Sequence, residues 1–313
     1  MRQQNTYDTI IIGAGPAGVA AGVYVARKKL KTLLITQSFG GQSVVSASIE
    51  NWIGEIKLSG FELREKLEKH LRAQEGIEIK SPEKVVSVKK QNGSFVVASD
   101  KKSYKTKTVI VASGGRRRRL GVPGEDKFEG KGVVYCSTCD APFFRNKDVV
   151  VVGAGNSGLG AVIDLLPYAN KIYLTDVLPE VKADQILQEK INKLDKVNIL
   201  LETQIQEIYG DQFVSGVKYK DLKSGEVKDL VVQGVFVEIG SMPNSEFVKD
   251  LVKTDRRGQI VIDPRTQTTS EPGVFAAGDV TDLPYKQNNI SAGDGVVAAL
   301  SVYDYLVNNR EIK

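Results

Sequence analysis

The sequence predicts an α/β protein of two three-layer domains, one inserted into the other, and three observations carry this prediction. The chain has 313 residues, more than one average hydrophobic core requires, so two domains are expected. A strand–glycine-turn–helix phrase occurs twice, as DTIIIGAGPAG at residues 8–18 and as DVVVVGAGNSG at 148–158. A further strand–turn–helix pattern lies within residues 272–295. Together these patterns are typical of two Rossmann-like dinucleotide-binding domains.

Composition and charge exclude several other classes of protein. Hydrophobic residues make up 41% and charged residues 26% of the chain, as in ordinary globular proteins. The sequence shows no secretory signal pattern at its start and no apolar run as long as a membrane span, so we expect a cytoplasmic protein without a membrane partner. The net charge of +5 includes the short run RRRR at 116–119, which we interpret as a solvated linker rather than as a nucleic-acid site.

The glycines of each phrase have distinct physical roles. The first permits a tight turn, the second lets the backbone approach a pyrophosphate, and the third lets the helix pack closely on the strand. The helix N-terminus then offers N–H groups and the positive end of its dipole to the phosphates. Two copies in this context predict two dinucleotide cofactors. The predicted contacts are Gly13, Gly15, Pro16, Ala17 and Gly18 in the first fingerprint and Gly153, Gly155, Asn156 and Ser157 in the second.

The residues after each fingerprint distinguish the two sites. In nicotinamide-binding units an acidic residue about 20 positions beyond the glycines binds the ribose hydroxyls, and Asp176 in KIYLTDV fits this position. A carboxylate there repels a 2′-phosphate, and the sequence has no arginine from 146 to 255. Lys182 lacks the forked guanidinium that suits such a phosphate, so we expect NADH rather than NADPH. The first copy instead ends its second strand with Thr36 and Gln37, followed by a glycine pair.

The chain has two cysteines, Cys136 and Cys139, in the stretch YCSTCD. A bridge across so short a loop stabilises a fold little, and a reducing compartment disfavours a structural disulfide. A structural zinc site needs four ligands, and the single histidine, His70, lies in the charged stretch LREKLEKHLRAQ, where a polar helix face explains it. We therefore expect no metal, and the pattern favours a redox-active pair.

These motifs together resemble the low-molecular-weight thioredoxin reductase family over essentially the whole chain. The similarity is carried by GAGPAG, GGQ, IENWIG, VPGE, CSTCD, GAGNSG, GVFAAGDV and YKQ. The resemblance implies a homodimeric two-domain flavoprotein with a discontinuous FAD-binding domain at 1–116 and 245–313, and a nicotinamide domain with the CxxC motif at 117–244. The FAD contacts that it adds to the first fingerprint are Thr36, Gln37, Gly40, Gly41, Gln42, Asn51, Ala112, Gly114, Asp279, Lys286, Gln287 and Asn288. The helix following Asp279 is expected at about 292–306.

The second domain is similar to one branch of this family. The stretches TDVLPEVKADQILQEK and PYKQ look like the flavoprotein of alkyl hydroperoxide reductase, which uses NADH. The NADPH branch carries H-R-R-x-x-x-R, which aligns with Asp176, Val177, Leu178 and Lys182. The peroxide-system flavoprotein also has an N-terminal thioredoxin-like region, whereas this sequence starts at the flavin fingerprint. The resemblance therefore implies a separate thioredoxin- or glutaredoxin-like acceptor, which in turn feeds a peroxiredoxin.

The resemblance also implies roles for the cysteine motif. NADH passes a hydride to the flavin, which opens the disulfide; Cys139 faces the flavin and Cys136 attacks the partner. Asp140 is expected to be the general acid, with a pKa raised by burial, and a helix cap is the alternative role for it. Rotation of one domain against the other would let the pair serve both the flavin and the partner.

Several other functions remain compatible with the sequence. The family usually has a glutamate where this chain has Gly160 and Ala161, on the nicotinamide side of the site. This departure keeps a ferredoxin-fed reductase open beside the NADH enzyme. The sequence is also compatible with an NADPH-dependent thioredoxin reductase, an NAD(P)H oxidase and a non-catalytic flavin-binding redox sensor.

Overall fold

The chain folds into two compact units in the computed structural model, which describes residues 6–46, 49–192 and 194–309. Unit 1 runs to Arg116 and resumes at Met242, and unit 2 comprises Arg117–Ser241. Unit 2 thus ends three residues before the predicted domain end at 244. Asn244 belongs to unit 1 because its side-chain amide donates to Ser113 O at 3.0 Å, and Ser113 Oγ donates to Asn244 O at 2.6 Å.

The elements follow one another as the alternating apolar patterns predict. The first part of the chain forms β1 (Tyr7–Ala14), α1 (Pro16–Arg27), β2 (Thr32–Phe39), α2 (Gly60–Arg72), β3 (Ile77–Lys80), β4 (Val85–Gln91), β5 (Ser94–Ser99), β6 (Ser103–Val111) and β7 (Gly115–Arg117). The middle part forms β8 (Val133–Val134), α3 (Ser137–Asp140), β9 (Asp148–Val152), α4 (Asn156–Leu165), β10 (Lys171–Thr175), α5 (Gln185–Ile191), β11 (Val197–Leu200), β12 (Thr203–Gly210), β13 (Val214–Asp221), β14 (Val227–Leu230) and β15 (Gly234–Val237). The last part forms β16 (Ser241–Pro243), β17 (Val274–Ala276) and α6 (Asn288–Asn308).

The sheet of unit 1 is parallel at its centre, in the order β3-β2-β1-β6-β17. The first half of β6 pairs with β5, and β5 and β4 form an antiparallel branch. Ile10 and Ile11 are both fully buried although they point to opposite faces, because each face is covered by its own hydrophobic cluster. Helices α1, α2 and α6 cover one face, and β4, β5 and the segment around Val248 cover the other.

Helix α6 is long and apolar enough to cross a membrane by length and composition alone, and among the described residues it is the helix that meets this test. It packs on α1 in the core of unit 1, where Ala298 and Val302 are fully buried. The approach is close, because a Cβ on Gly295 would lie 2.1 Å from Ala17 O. The helix begins at Asn288, earlier than the expected 292, since its first turn is polar and lacks the apolar pattern.

The main sheet of unit 2 is parallel throughout, in the order β11-β10-β9-β15-β8. The valines of β9 are almost fully buried, as their unbroken apolar run predicts. Helix α4 ends at Leu165, just before Pro167, which cannot continue a helix. Strands β12, β13 and β14 form a separate antiparallel sheet in the same unit. The carboxyl ends of the parallel strands define the edge where ligands bind in such sheets.

Candidate active site

The first glycine turn joins β1 to α1 in unit 1. Gly13 has a φ of +106°, and a Cβ there would lie 2.3 Å from Ala112 O, so no side chain fits. A Cβ on Gly18 would lie 1.9 Å from Gly13 O, which is the close helix–strand contact expected of the third glycine. Helix α1 has Pro16 in its first turn and no acidic residue there. Its free N–H groups and dipole are therefore available to a phosphate.

A cleft of about 900 Å³ opens in unit 1 at the carboxyl ends of the parallel strands. This volume lies at the upper end of ordinary ligand sites. Most of the FAD contacts expected from the sequence line it, namely Gly13, Gly15, Pro16, Ala17, Thr36, Gln37, Gly41, Gln42, Ala112, Gly114, Asp279 and Asn288. Gly18 is buried beneath the turn, and Gly40, Asn51, Lys286 and Gln287 lie outside the lining. The cleft, its glycine turn and its helix N-terminus fit an elongated dinucleotide.

Side-chain hydrogen bonds join the two loops that border this cleft. Gln42 Nε2 donates to Asp279 Oδ2 at 3.2 Å, and Asn51 Nδ2 donates to Gln287 Oε1 at 3.3 Å. Burial lowers the pKa of Lys286, whose Nζ donates to Thr281 O at 2.6 Å. Through these hydrogen bonds, Asn51, Lys286 and Gln287 stabilise the loops at the border of the cleft.

The strand position expected for Thr36 and Gln37 is corrected by the structure. Strand β2 continues to Phe39, so both residues lie inside the strand rather than at its end. The register of β2 against β1 shifts beside the glycine turn, between Ile12 and Ala14, which lets the strand extend past it. Gln37 is exposed at the cleft, whereas Thr36 is buried and donates to Ser38 O at 2.6 Å.

The cleft also includes residues that motif reasoning missed, among them Glu83, Lys84, Arg116, Asn244 and Glu246. Glu83 is 5% exposed and accepts a hydrogen bond from Tyr104 Oη at 2.7 Å. Glu83 and Lys84 follow β3, a parallel strand whose carboxyl end faces the same edge as those of β1 and β2. That strand order was the signal that could have identified them, since ligands bind along this edge.

The second glycine turn joins β9 to α4 in unit 2. Gly153 has a φ of +111°, and a Cβ there would lie 2.6 Å from Glu238 O. A Cβ on Gly158 would lie 1.7 Å from Gly153 O, as in the first turn. Asn156 and Ser157 begin the helix and are exposed, and no acidic residue lies in its first turn. The turn therefore also fits the phosphates of a dinucleotide.

Asp176 follows β10 directly and lies at the second glycine turn. Its Oδ2 accepts a hydrogen bond from Ala154 N at 2.6 Å, and its Oδ1 accepts one from Leu178 N at 2.9 Å. The next segment returns to the same turn, since Lys182 N donates to Ala154 O at 3.0 Å and Asp184 N donates to Asn156 Oδ1 at 2.8 Å. The predicted acidic residue is thus adjacent to the turn that would hold the pyrophosphate.

Two glycines of α4 provide a matched test of this turn. Gly158→Ala is expected to displace α4 from β9 and to abolish nucleotide-driven flavin reduction, because its Cβ would collide with Gly153 O. Gly160→Ala adds the same methyl group on the same helix where nothing lies within 4 Å, and is expected to keep activity and gain about 0.5–1 kcal/mol of stability. Thermal unfolding and stopped-flow flavin reduction measure both effects. Equal behaviour of the two variants would contradict the packing role of Gly158.

The cysteine pair forms a disulfide in unit 2, with its Cα atoms 5.4 Å apart. Cys136 is the N-cap of the single-turn helix α3, and both cysteines are half-buried. Two hydroxyls within the motif hold this turn on α4: Ser137 Oγ and Thr138 Oγ1 donate to Asp164 Oδ2 at 2.8 and 3.2 Å. Among the residues that the structure describes, no cluster of potential metal ligands occurs.

Asp140 closes helix α3, directly after Cys139. Burial raises the pKa of its carboxyl to about 7, with Arg117 opposing the shift. The alternative role as a helix cap is not supported, because the side chain makes no cap hydrogen bond to the 3-10 turn that follows. A carboxyl that titrates near neutral pH beside a disulfide can deliver a proton to a departing thiolate.

Two glycine turns that fit dinucleotides and a disulfide in a CxxC motif are typical of pyridine nucleotide–disulfide oxidoreductases. Comparison with known proteins identifies the family of this chain. Residues 7–296 match the family model described as pyridine nucleotide-disulphide oxidoreductase, and the chain belongs to this family. FAD and a pyridine nucleotide are expected for its members. The chain is 38% identical to the thioredoxin reductase of Streptococcus pyogenes, covering 98% of this chain and 100% of that one with a TM-score of 0.92. The resemblance and the fold class predicted from the motifs are confirmed.

Curated relatives include longer proteins. The chain is 41% identical over 97% of its length to a protein named NADH dehydrogenase from Bacillus subtilis. It is 40% identical over 99% of its length to the F protein of alkyl hydroperoxide reductase from Escherichia coli. It spans 59% and 60% of those two proteins, respectively.

Proposed function

We propose that this chain is an FAD-dependent disulfide reductase that passes electrons from NADH through the flavin and Cys136–Cys139 to a thioredoxin- or glutaredoxin-like protein. The observation that carries the proposal is the disulfide next to Asp140, whose carboxyl has a pKa of about 7. Bond cleavage in a disulfide produces thiolates, and a proton donor of matched pKa at the departing sulfur favours it. The same unit carries the second dinucleotide turn, so the electron source and the proton donor belong to one compact unit.

The FAD assignment rests on the cleft of unit 1. Its glycine turn, helix N-terminus and Asp279 are the groups that would hold the pyrophosphate and the ribityl chain of a flavin dinucleotide. When bound, FAD supplies the two-electron chemistry between nucleotide and disulfide. The residues of this chain bind it, orient it and manage the protons.

The preference for NADH rests on the charges around Asp176. Lys182 is the one cation that the sequence offers in place of the arginines of the NADPH branch, and its Nζ is paired with the carboxylate of Glu180. That pair and Asp176 leave the ribose side of the site without a net positive charge for a 2′-phosphate. Val177 and Leu178, aligned with arginines in the NADPH branch, are 52% and 41% exposed. The names of the curated relatives, NADH dehydrogenase among them, agree with this preference.

The acceptor, the assembly and the compartment are part of the proposal. We propose a thioredoxin- or glutaredoxin-like acceptor that feeds a peroxiredoxin, which agrees with the alkyl hydroperoxide reductase protein found among the relatives. We also propose a cytoplasmic homodimer. The acceptor disulfide takes up two electrons from the reduced Cys136–Cys139 pair by thiol–disulfide exchange, which regenerates the disulfide of this chain.

Anaerobic reduction of the FAD-loaded protein tests the function and the nucleotide choice. We expect NADH to bleach the flavin absorbance faster than NADPH in stopped flow. Addition of an oxidised thioredoxin- or glutaredoxin-like protein should then reoxidise the flavin, with one acceptor disulfide reduced for each NADH consumed. Faster reduction by NADPH would overturn the nucleotide assignment. Bound FAD that neither nucleotide reduces would favour a ferredoxin-fed reductase or a non-catalytic flavoprotein.

A double variant beside Asp176 tests the preference for NADH over NADPH directly. Val177→Arg with Leu178→Arg should raise the NADPH-to-NADH ratio of kcat/KM by about tenfold or more, the value of one charge-assisted hydrogen bond. Phe213→Arg with Val231→Arg is the matched control. These side chains are 65% and 66% exposed in the same unit, and the two substitutions also exchange apolar for basic residues, but away from Asp176. A similar change in both double variants would mean that overall charge, rather than the position beside Asp176, sets the ratio.

A further inference from the structure

The two dinucleotide units differ at the position where an acidic residue binds ribose. In each unit, the residue before the glycine turn pairs with the residue of the next strand that precedes Thr36 or Asp176. Thr36 and Asp176 therefore hold equivalent positions. An acidic residue at this position binds the ribose hydroxyls of a dinucleotide, and unit 1 has a threonine there.

The segment beside this position also corresponds in the two units. Glu83 N donates to Thr36 O at 2.9 Å, and Thr203 N donates to Asp176 O at 2.8 Å. Unit 2 thus combines an aspartate with a neighbouring threonine, whereas unit 1 combines a threonine with a neighbouring glutamate. A carboxylate is present beside both glycine turns, but in unit 1 it belongs to the segment after β3 rather than to β2.

Glu83 is held firmly by its surroundings. It is 5% exposed, and Tyr104 Oη and Ser99 Oγ donate to its Oε1 at 2.7 and 2.5 Å. Its Oε2 accepts no hydrogen bond within the described part of the chain. Buried carboxylates are stabilised by hydrogen-bond donors at both oxygens. Because Glu83 lines the cleft of unit 1, a ligand in that cleft can supply the donors for Oε2.

We propose that Glu83 binds the ribose hydroxyls of the adenosine half of FAD, the role that Asp176 has for the nicotinamide dinucleotide in unit 2. This inference rests on the FAD assignment of the cleft. The adenosine ribose is joined directly to the pyrophosphate, which the glycine turn between β1 and α1 would hold beside Thr36. Tyr104 and Ser99 fix the carboxylate before the ligand arrives, which lowers the entropic cost of binding.

Glu83→Gln changes the group at Oε2 with little change in shape. Its amide oxygen can still accept from Tyr104 and Ser99, whereas an NH2 group replaces Oε2. Loss of a hydrogen bond to a charged acceptor should weaken FAD binding by about tenfold or more. Isothermal titration of the apoprotein with FAD measures this change. Glu75→Gln, at an exposed glutamate of the same unit, is the matched control and should bind FAD like the wild-type protein.

FAD analogues that lack the 2′- or the 3′-hydroxyl of the adenosine ribose separate direct contact from a structural role. The wild-type protein should bind at least one of them about tenfold more weakly than FAD. Glu83→Gln should bind FAD and that analogue equally, because the carboxylate and the hydroxyl then no longer interact. A structural role alone would weaken all three ligands by the same factor and keep the wild-type preference.

Two outcomes would overturn the inference: a wild-type protein that does not distinguish FAD from either analogue, or a Glu83→Gln variant that retains the wild-type preference. If Glu83→Gln fails to fold, Glu83→Asp decides, because it keeps the charge beside Tyr104 and withdraws the carboxylate by one methylene. An unchanged preference in Glu83→Asp contradicts the contact.

Failure of the proposed function gives a different result. A wild-type protein that binds no FAD would overturn the flavin assignment, and the inference with it. A protein that distinguishes FAD from an analogue through Glu83 but reduces no disulfide protein would sustain the inference and reject the reductase function.

Discussion

Cys139→Ser is expected to abolish turnover with a disulfide protein while leaving FAD content and nucleotide-driven flavin reduction intact. The substitution changes no residue that lines the cleft assigned to FAD, so the binding groups of that cleft are retained. Without Cys139 the disulfide cannot form, and electrons have no exit through the CxxC motif. Steady-state acceptor reduction and stopped-flow flavin bleaching, measured on the same preparation, separate the two half-reactions.

Cys136→Ser is the matched control, because it makes the same chemical change three positions away in the motif. Both variants should lose acceptor turnover. In Cys139→Ser the remaining Cys136 thiolate attacks the oxidised acceptor, forms a mixed disulfide and releases one acceptor thiolate, and no second sulfur resolves the bond. A covalent complex should therefore accumulate with Cys139→Ser and much less with Cys136→Ser. The opposite pattern would exchange the roles of the two cysteines.

Retention of physiological turnover in either variant would point to a different function. A flavoprotein oxidase reduces O₂ at the flavin and has no need of the pair. Oxygen consumption that persists after loss of acceptor reduction distinguishes residual oxidase activity from the main reaction.

Features that depend on local backbone chemistry were predictable from the sequence. Both glycine turns could be recognised because Gly13 and Gly153 require a positive φ and leave no space for a Cβ. Asp176 was predictable because the end of the second parallel strand lies beside the first turn in any such unit. A raised pKa of Asp140 was expected because a general acid needs one and burial supplies it. In the structure, burial raises this pKa to about 7.

Features that depend on distant segments were not predictable. Glu238 lies against the second glycine turn because β15 pairs with β9 in the sheet, an order that no local pattern reveals. The unit boundary at Ser241 depends on hydrogen bonds between Asn244 and Ser113. Glu83 faces the cleft because β3 joins the edge of the sheet. Each case requires knowledge of which strands are neighbours.

Asp140→Asn is expected to slow disulfide opening by about a hundredfold below pH 7, the lower end of what a general acid contributes. The carboxyl has a pKa of about 7, so in the wild-type protein it is protonated and active at lower pH and loses its proton as the pH rises through 7. The variant has no such ionisation. Its rate should therefore be low and nearly independent of this group, and the two proteins should converge above pH 8. Stopped-flow opening of the disulfide across pH measures the difference.

Asp140→Asn slows the reaction, but it should make the folded protein relatively more stable at high pH. The folded-state pKa of Asp140 is raised above its unfolded value, so the folded protein holds the proton more tightly between about pH 4 and pH 7. The wild-type protein therefore loses stability as the pH rises through this window, whereas an asparagine carries no charge to bury. Denaturant unfolding should show Asp140→Asn to be relatively more stable at pH 8 than at pH 4.

Asp211→Asn, an exposed aspartate of the same unit, is the control and should change neither profile. Loss of rate without a gain in stability at pH 8 would indicate that Asp140 is charged in the folded protein and acts through hydrogen bonding instead. A gain in stability without loss of rate would remove Asp140 from the proton path. The combined result, slower chemistry with greater stability at high pH, is expected only if burial of this carboxyl serves catalysis at the expense of the fold.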